Sequence, residues 1–309
     1  MKLHVHFLRS SNGKRDLSCY IYVPDTEVKG IIQISHGMCE YIENYALFAK
    51  YFCERGFAVC GNDHLGHGNT AEDKRDLGYF GNGGYGSLVK DLRKMNKFIR
   101  ASYPGVPVIM LGHSMGSFLA RIYALEYPET VDGIILEGTI GYANPSRAGA
   151  LAASAIAKAR GAHFRSKILY DMTFRHYNAK FASEGEFAWL SRDKAACEKF
   201  KKDAQRNFVF TADGYAELFS MVTTISKPRW AYSYPKAMPT LIVSGEMDPV
   251  GNYGKGPVEV YEKLLAAGCD SVSLKLYEGA RHELHTETNK EEFFGDLISW
   301  IEKNKLCKD

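Results

Sequence analysis

The stretch Val106-Pro107-Val108-Ile109-Met110-Leu111-Gly112-His113-Ser114-Met115-Gly116-Ser117 decides the fold. Residues 106–111 are an uncharged apolar run, the pattern of a strand buried on both faces. It passes directly into Gly112-x-Ser114-x-Gly116, and a helical pattern occupies 115–127. A serine on a sharp strand-to-helix turn between two glycines is a nucleophile elbow. Gly112 and Gly116 let strand and helix approach closely. The hydroxyl is then held at the carboxyl end of the sheet, where open α/β folds bind ligands.

Outward from the elbow, strand-like runs alternate with helical patterns. Residues 17–23, 30–35, 57–60 and 133–136 read as strands, and 42–55 and 86–103 as helices. The alternation resumes at 239–243 (strand), 257–267 (helix), 271–277 (strand) and 288–305 (helix). Such alternation predicts βαβ units and a mostly parallel sheet with helices on both faces. Between about 141 and 235 the strands stop, and helical, aromatic-rich segments take over. The reading is one α/β core, 1–140 plus 236–309, with a helical cap at 141–235 inserted on top of the sheet.

A serine hydroxyl is a weak nucleophile and needs an adjacent base. In this fold the partners follow in the order acid then histidine, each just past a later strand. Strand 239–243 runs into Ser244-Gly245-Glu246-Met247-Asp248, and strand 271–277 into Glu278-Gly279-Ala280-Arg281-His282. Asp248 is therefore the expected orienting acid and His282 the expected base. Glu246 is an alternative acid, read as a turn residue. His285 is an alternative base, read as a surface or lining residue. Backbone N–H groups must meet the oxyanion. The expected donors are Met115, following the nucleophile, and Met38, carried by the His36-Gly37-Met38 turn after strand 30–35.

The chain resembles the monoglyceride lipase and lysophospholipase-like branch of the α/β-hydrolases, often grouped with serine aminopeptidase-type hydrolases. The likeness rests on HGMCEYIENYALFA (36–49), NDHLGHGNT (62–70), GHSMGS (112–117), WLSRD (189–193), SGEMDPVGNYGKG (244–256) and LYEGARHELHTE (276–287). It implies a cap between core strands 6 and 7. It also implies cofactor-free hydrolysis of monoacyl lipids or related acyl esters. Two departures bear on the substrate. Ala204-Gln205-Arg206-Asn207-Phe208 stands where related chains often carry Asp-Pro before the phenylalanine, and Met38 is larger than the small residue of some relatives. A peptidase or amidase of the same fold, and a non-catalytic binder, are the competing readings.

Other signals point to few partners. The net charge of +3 is dispersed and offers no basic tract for nucleic acid. Seven scattered cysteines without a CxxC pair suit a reducing compartment, and Cys53 and Cys60 read as buried thiols. The N-terminus has no signal-peptide pattern, and no apolar run reaches the ~18 residues of a membrane span. The expected location is cytoplasmic. Gly81-Asn82-Gly83-Gly84-Tyr85-Gly86 matches GxGxxG but follows no strand, so no dinucleotide is expected. Asp63, His64 and His67 have the look of metal ligands, yet their glycine-rich loop reads as part of the active-site floor. No metal is expected.

Two features of the inserted segment bear on substrate. Arg147, Lys158, Arg160, Arg165, Lys167, Arg175 and Lys180 face only Asp171 between 147 and 180. The plain reading is a solvated surface, and the sharper one a transient contact with a lipid interface. Phe164, Ile168, Phe174, Phe181, Phe187, Trp189, Leu218 and Met221 read mostly as cap packing, with an acyl-chain tunnel as the alternative.

Overall fold

The computed structural model describes residues 1–143 and 146–308; Asn144, Pro145 and Asp309, which the core and cap boundaries include, lie outside the described residues. In chain order the elements are β1 (Lys2–Arg9), β2 (Asp16–Val23), β3 (Gly30–Ser35), α1 (Ala46–Cys53), β4 (Phe57–Asn62), α2 (Gly84–Ser102), β5 (Val108–His113), α3 (Met115–Glu126) and β6 (Gly133–Glu137). Four helices follow: α4 (Ser146–Arg160), α5 (Lys167–Phe174), α6 (Lys194–Lys202) and α7 (Ala212–Ile225). Then come β7 (Thr240–Gly245), α8 (Lys255–Ala266), β8 (Val272–Tyr277) and α9 (Lys290–Lys303).

The strands form one eight-stranded sheet in the order β1-β2-β4-β3-β5-β6-β7-β8. Only the β1–β2 and β2–β4 pairings are antiparallel; β4 onward runs parallel. This is the α/β-hydrolase architecture. The central strands β3, β4, β5, β6 and β7 are buried along their whole length, which explains why their sequences do not alternate. One apolar layer, centred on α2, α3 and Met110, covers one face. The other, centred on α1 and α9 with Phe48, Phe52 and Phe294, covers the opposite face.

Element boundaries shift slightly from the sequence reading. The first helix splits at Tyr45 into a short 3-10 turn, Ile42–Tyr45, and α1. The elbow strand starts at Val108, since Pro107 lacks an N–H for the ladder. His4 and His6 are exposed on β1. No helix among the described residues is long and apolar enough to cross a membrane.

Candidate active site

The elbow is built by close packing. Ser114 has φ 51° and ψ −121°, a strained conformation for a residue with a Cβ. Its N–H donates to the Glu137 carbonyl at 2.9 Å, and its own carbonyl accepts from Ser117 N–H at 2.8 Å. A Cβ added to Gly112 would lie 2.4 Å from the Gly116 carbonyl oxygen. Backbone therefore occupies the space that side chains would need, and Ser114 is left half-buried at the carboxyl end of β5.

Asp248 follows β7 and His282 follows β8. Asp248 Oδ2 lies 2.9 Å from His282 Nδ1, and both side chains are buried. The other carboxylate oxygen, Oδ1, accepts the Val250 N–H at 2.8 Å. Glu246, the alternative acid, is exposed in the turn and accepts the Gly279 N–H at 3.4 Å. The structure thus brings Ser114 and His282 to one cavity, with Asp248 buried and hydrogen-bonded to the imidazole. Burial pulls the His282 imidazole down, but the Asp248 carboxylate outweighs it, with Glu283 and Glu40 adding to the effect, so the net shift is upward.

The loop carrying Met38 lies against Ser114. A Cβ on Gly37 would sit 3.1 Å from Ser114 Cβ and 3.1 Å from His113 Cδ2. The Gly37 N–H donates to Glu40 Oε2 at 2.6 Å, which fixes the loop from below. Met38, Ser114, Met115 and His282 line the same cavity.

The glycine-rich loop 62–68 braces this arrangement. Asp63 accepts from the N–H groups of Ile42 and Asn69, each at 2.8 Å, and burial pushes its carboxyl up to about 7. His36 Nε2 accepts the His64 N–H at 2.9 Å, and His64 Nε2 lies 3.2 Å from Ser35 Oγ. Burial pushes His64 down to about 3 and His67 to about 4, and holds His36 well below its ordinary value. These three imidazoles are packed neutral against one another around the His36-Gly37-Met38 turn.

His285 departs from its sequence reading as a surface or lining residue. It is 4% exposed, its ring stacks on Tyr45, and its Nδ1 lies 3.2 Å from Glu137 Oε1. Glu137 is fully buried at the end of β6 and also lies 3.5 Å from His113 Nδ1. His113 contacts the His282 imidazole, with ring centroids 4.8 Å apart. Two groups, His113 with Glu137 and His285, and Glu40 with Glu283 and His285, bring donor atoms within 4.8 Å of one another. Arg206 supplies the counter-charge to Glu40 and Glu283, and His285 Nδ1 is hydrogen-bonded to Glu137, so neither group is assigned as a metal site.

Sequence reasoning missed Glu40, Glu137, Arg206, Glu283 and Gly138. At Gly138 (φ 61°) a Cβ would lie 3.0 Å from His282 Cε1, so that glycine makes room for the imidazole. It follows a strand directly, a signal that was available.

A family model described as "Serine aminopeptidase, S33" (Hydrolase_4) matches residues 26–289. The chain belongs to this serine aminopeptidase S33 family. As a member of Hydrolase_4 it is a serine hydrolase of the group that includes monoglyceride lipases and esterases. It is 29% identical over 287 residues to a monoglyceride lipase homolog of Monkeypox virus, covering 92% of this chain and 93% of the relative. It is 27% identical over 290 residues to the monoglyceride lipase of Homo sapiens, covering 92% and 86%. Its structure is similar to that of a thermostable carboxyl esterase from Bacillus coagulans in complex with glycerol, with a TM-score of 0.91, 29% identity, and 98% and 99% of the two chains covered. A lipase in its open form shares the fold at a TM-score of 0.90 and 24% identity, with 98% and 99% covered.

The cavity above Ser114 measures about 650 Å³. Phe174, Phe187, Trp189 and Leu218 line it, whereas Phe181 and Met221 pack inward and Ile168 is 67% exposed. The packing reading holds for only part of that set, because α5 and the 185–190 turn point their aromatic rings toward the cavity. Several basic residues of this region are already engaged: Arg165 with the Val209 carbonyl, Lys167 with Asp171, and Lys180 over the Tyr253 ring.

Proposed function

We propose that this hydrolase cleaves carboxylic esters of monoacyl lipids, monoacylglycerol or lysophospholipid, or related acyl esters, through an acyl-enzyme on Ser114. The Asp248–His282 hydrogen bond beside a strained serine elbow carries this reading. His282 takes the Ser114 proton as Oγ attacks the acyl carbonyl. Asp248 accepts from Nδ1–H, holds the tautomer and stabilises the imidazolium. The N–H groups of Met38 and Met115 meet the oxyanion, each worth about 10²–10³ in rate. The alcohol leaves with the proton, and a water activated by His282 releases the acid. No cofactor or metal enters the scheme.

Residues 1–140 and 236–309 are the catalytic core and 141–235 the lid in this reading. The aromatic lining contributed by the inserted segment suits an acyl chain, and its exposed Leu151, Ile168 and Met172 suit transient contact with a lipid interface. Seven free cysteines, five of them buried, suit a reducing, cytoplasmic setting.

The aminopeptidase reading is less well supported. A free α-amino group needs an anionic anchor, and the two buried carboxylates nearest the base, Glu40 and Glu283, are already paired with Arg206. A panel of p-nitrophenyl esters from short to long chain, run beside monoacylglycerol, lysophospholipid and aminoacyl amides, tests the assignment. Ester turnover, together with fluorophosphonate labelling that disappears in Ser114→Ala, is the expected result. Turnover retained by Ser114→Ala, or amides preferred over all esters, would overturn it.

A further inference from the structure

One buried cation joins the inserted segment to both halves of the catalytic site. Arg206, between α6 and α7, has a side chain only 4% exposed. Its Nη2 lies 2.5 Å from Glu283 Oε1 and 3.5 Å from Glu40 Oε1. Glu283 directly follows His282. Glu40 holds the Gly37 N–H and accepts the Tyr45 hydroxyl at 2.9 Å. The guanidinium also lies over the Phe200 ring, 4.7 Å from its centroid. Glu40 Oε1 and Arg206 Nε have no hydrogen-bond partner of their own, so the contacts to Arg206 Nη2 carry the balance of charge.

We propose that Arg206 is a positioning residue that seats the inserted segment on the oxyanion loop and the histidine loop at once, and neutralises the two carboxylates that face His282. The inference rests on the assignment of His282 as the general base. Ionic groups this deeply buried are weak contributors to stability, because desolvation offsets their attraction. Their consequence here is electrostatic. His282 faces the Asp248 carboxylate at Nδ1, the His113 ring, the Trp189 ring, and the carboxylates of Glu283 and Glu40. Tyr177 flanks Asp248, and Glu137 with His285 stands behind His113. Among the described residues Arg206 is the cation paired with Glu40 and Glu283, whereas Arg281, which directly precedes His282, is paired with Glu184 and the Ala188 carbonyl. Without Arg206, the Glu40 and Glu283 carboxylates face His282 unbalanced and favour the imidazolium, which moves the acid limb of the activity profile upward.

The test is the pH dependence of kcat/KM for a p-nitrophenyl ester, with Arg206→Met, Arg206→Lys, Glu283→Gln and Arg206→Met/Glu283→Gln. Arg206→Met is expected to move the acid limb up by about one pH unit, read as roughly tenfold lower kcat/KM well below the midpoint. The double variant is expected to return most of the way. Arg206→Lys keeps the charge but not the planar guanidinium that lies over the Phe200 ring of the inserted segment, so its limb stays near the parent while KM for long-chain esters rises. An unmoved limb in Arg206→Met, or an equal shift in Arg206→Lys, would overturn the proposal. Should Arg206→Met fail to fold, Glu283→Gln alone decides: its limb moves down if Glu283 faces His282 electrostatically, and an unmoved limb overturns the idea. Loss of the base assignment itself would show separately, as turnover surviving in His282→Ala.

Discussion

A Cβ placed on Gly116, in the first turn of α3, would lie 1.8 Å from the carbonyl oxygen of Ser35, at the end of β3. The elbow and the turn after β3 are therefore built against each other: one glycine lets the helix that follows Ser114 touch the strand that leads into His36-Gly37-Met38. Gly116→Ala has no flexible neighbour to displace, because the obstacle is backbone. Overpacking of this kind is expected to cost about 3 kcal/mol. A drop in thermal midpoint accompanied by at least hundredfold lower kcat/KM is the expected outcome. Gly86→Ala, at a helical position with nothing within 4 Å, serves as the control that should stay close to the parent.

Asp248→Asn tests the orienting role. The Asn amide can present an N–H where the carboxylate accepted, which favours the wrong imidazole tautomer. A fall of about 10⁴ in kcat is expected, with little change in folding. Fluorophosphonate labelling of Ser114 should slow in parallel. Normal labelling and turnover would remove Asp248 from the mechanism.

Gly138→Ala probes the room left for the base. A methyl there would press on His282 Cε1 from 3.0 Å and on Nδ1 from 3.1 Å, and Gly138 also has φ 61°. The expected signature is a tenfold to hundredfold lower kcat, roughly, with KM almost unchanged, since the methyl displaces a catalytic group rather than the substrate. A change confined to KM would contradict this.

The elbow at Ser114 and the pairing of Asp248 with His282 were legible because each part is local: a motif of a few residues placed just past a strand. Asp248 and His282 could be picked by order and strand-end position before any distance was known. The network under them was not legible. Arg206 meets Glu283 across 77 positions, and His285 meets Glu137 across 148. No periodicity or spacing joins such residues; only the sheet order does, by stacking the ends of β3, β5 and β6. His285 was read outward for this reason, since its carboxylate partner lies on a distant strand. The inserted segment was legible as helical but not as to which aromatic rings turn inward.

Acid stability follows from the buried imidazoles. His36, His64, His67 and His113 all have folded values below the ordinary 6.5, with burial the main cause. In the unfolded chain they take up protons below about 6.5. Each therefore contributes stability that is complete above that value and is lost as pH falls toward its folded value. His282 and His285 are raised, so their contribution is present below about 6.5 and lost as pH rises through their folded values. Asp63, pushed up to about 7, binds a proton in the native state over part of the same window and offsets one imidazole. The balance leaves the protein less stable at pH 5 than at pH 7.5. His67→Phe isolates one contributor, because His67 is surrounded by Phe80, Phe208 and Phe210. Its Nδ1 lies 3.1 Å from the Leu65 carbonyl, and losing that hydrogen bond should cost about 1 kcal/mol at pH 7.5. The variant also sheds one proton from the acid slope, about 1.4 kcal/mol per pH unit. Between 6.5 and 5 that gain reaches about 2 kcal/mol, larger than the lost hydrogen bond. Denaturation curves at pH 7.5 and 5 should therefore cross, the parent being more stable at the higher pH and His67→Phe at the lower. Parallel curves would show that His67 is not held neutral in the folded protein.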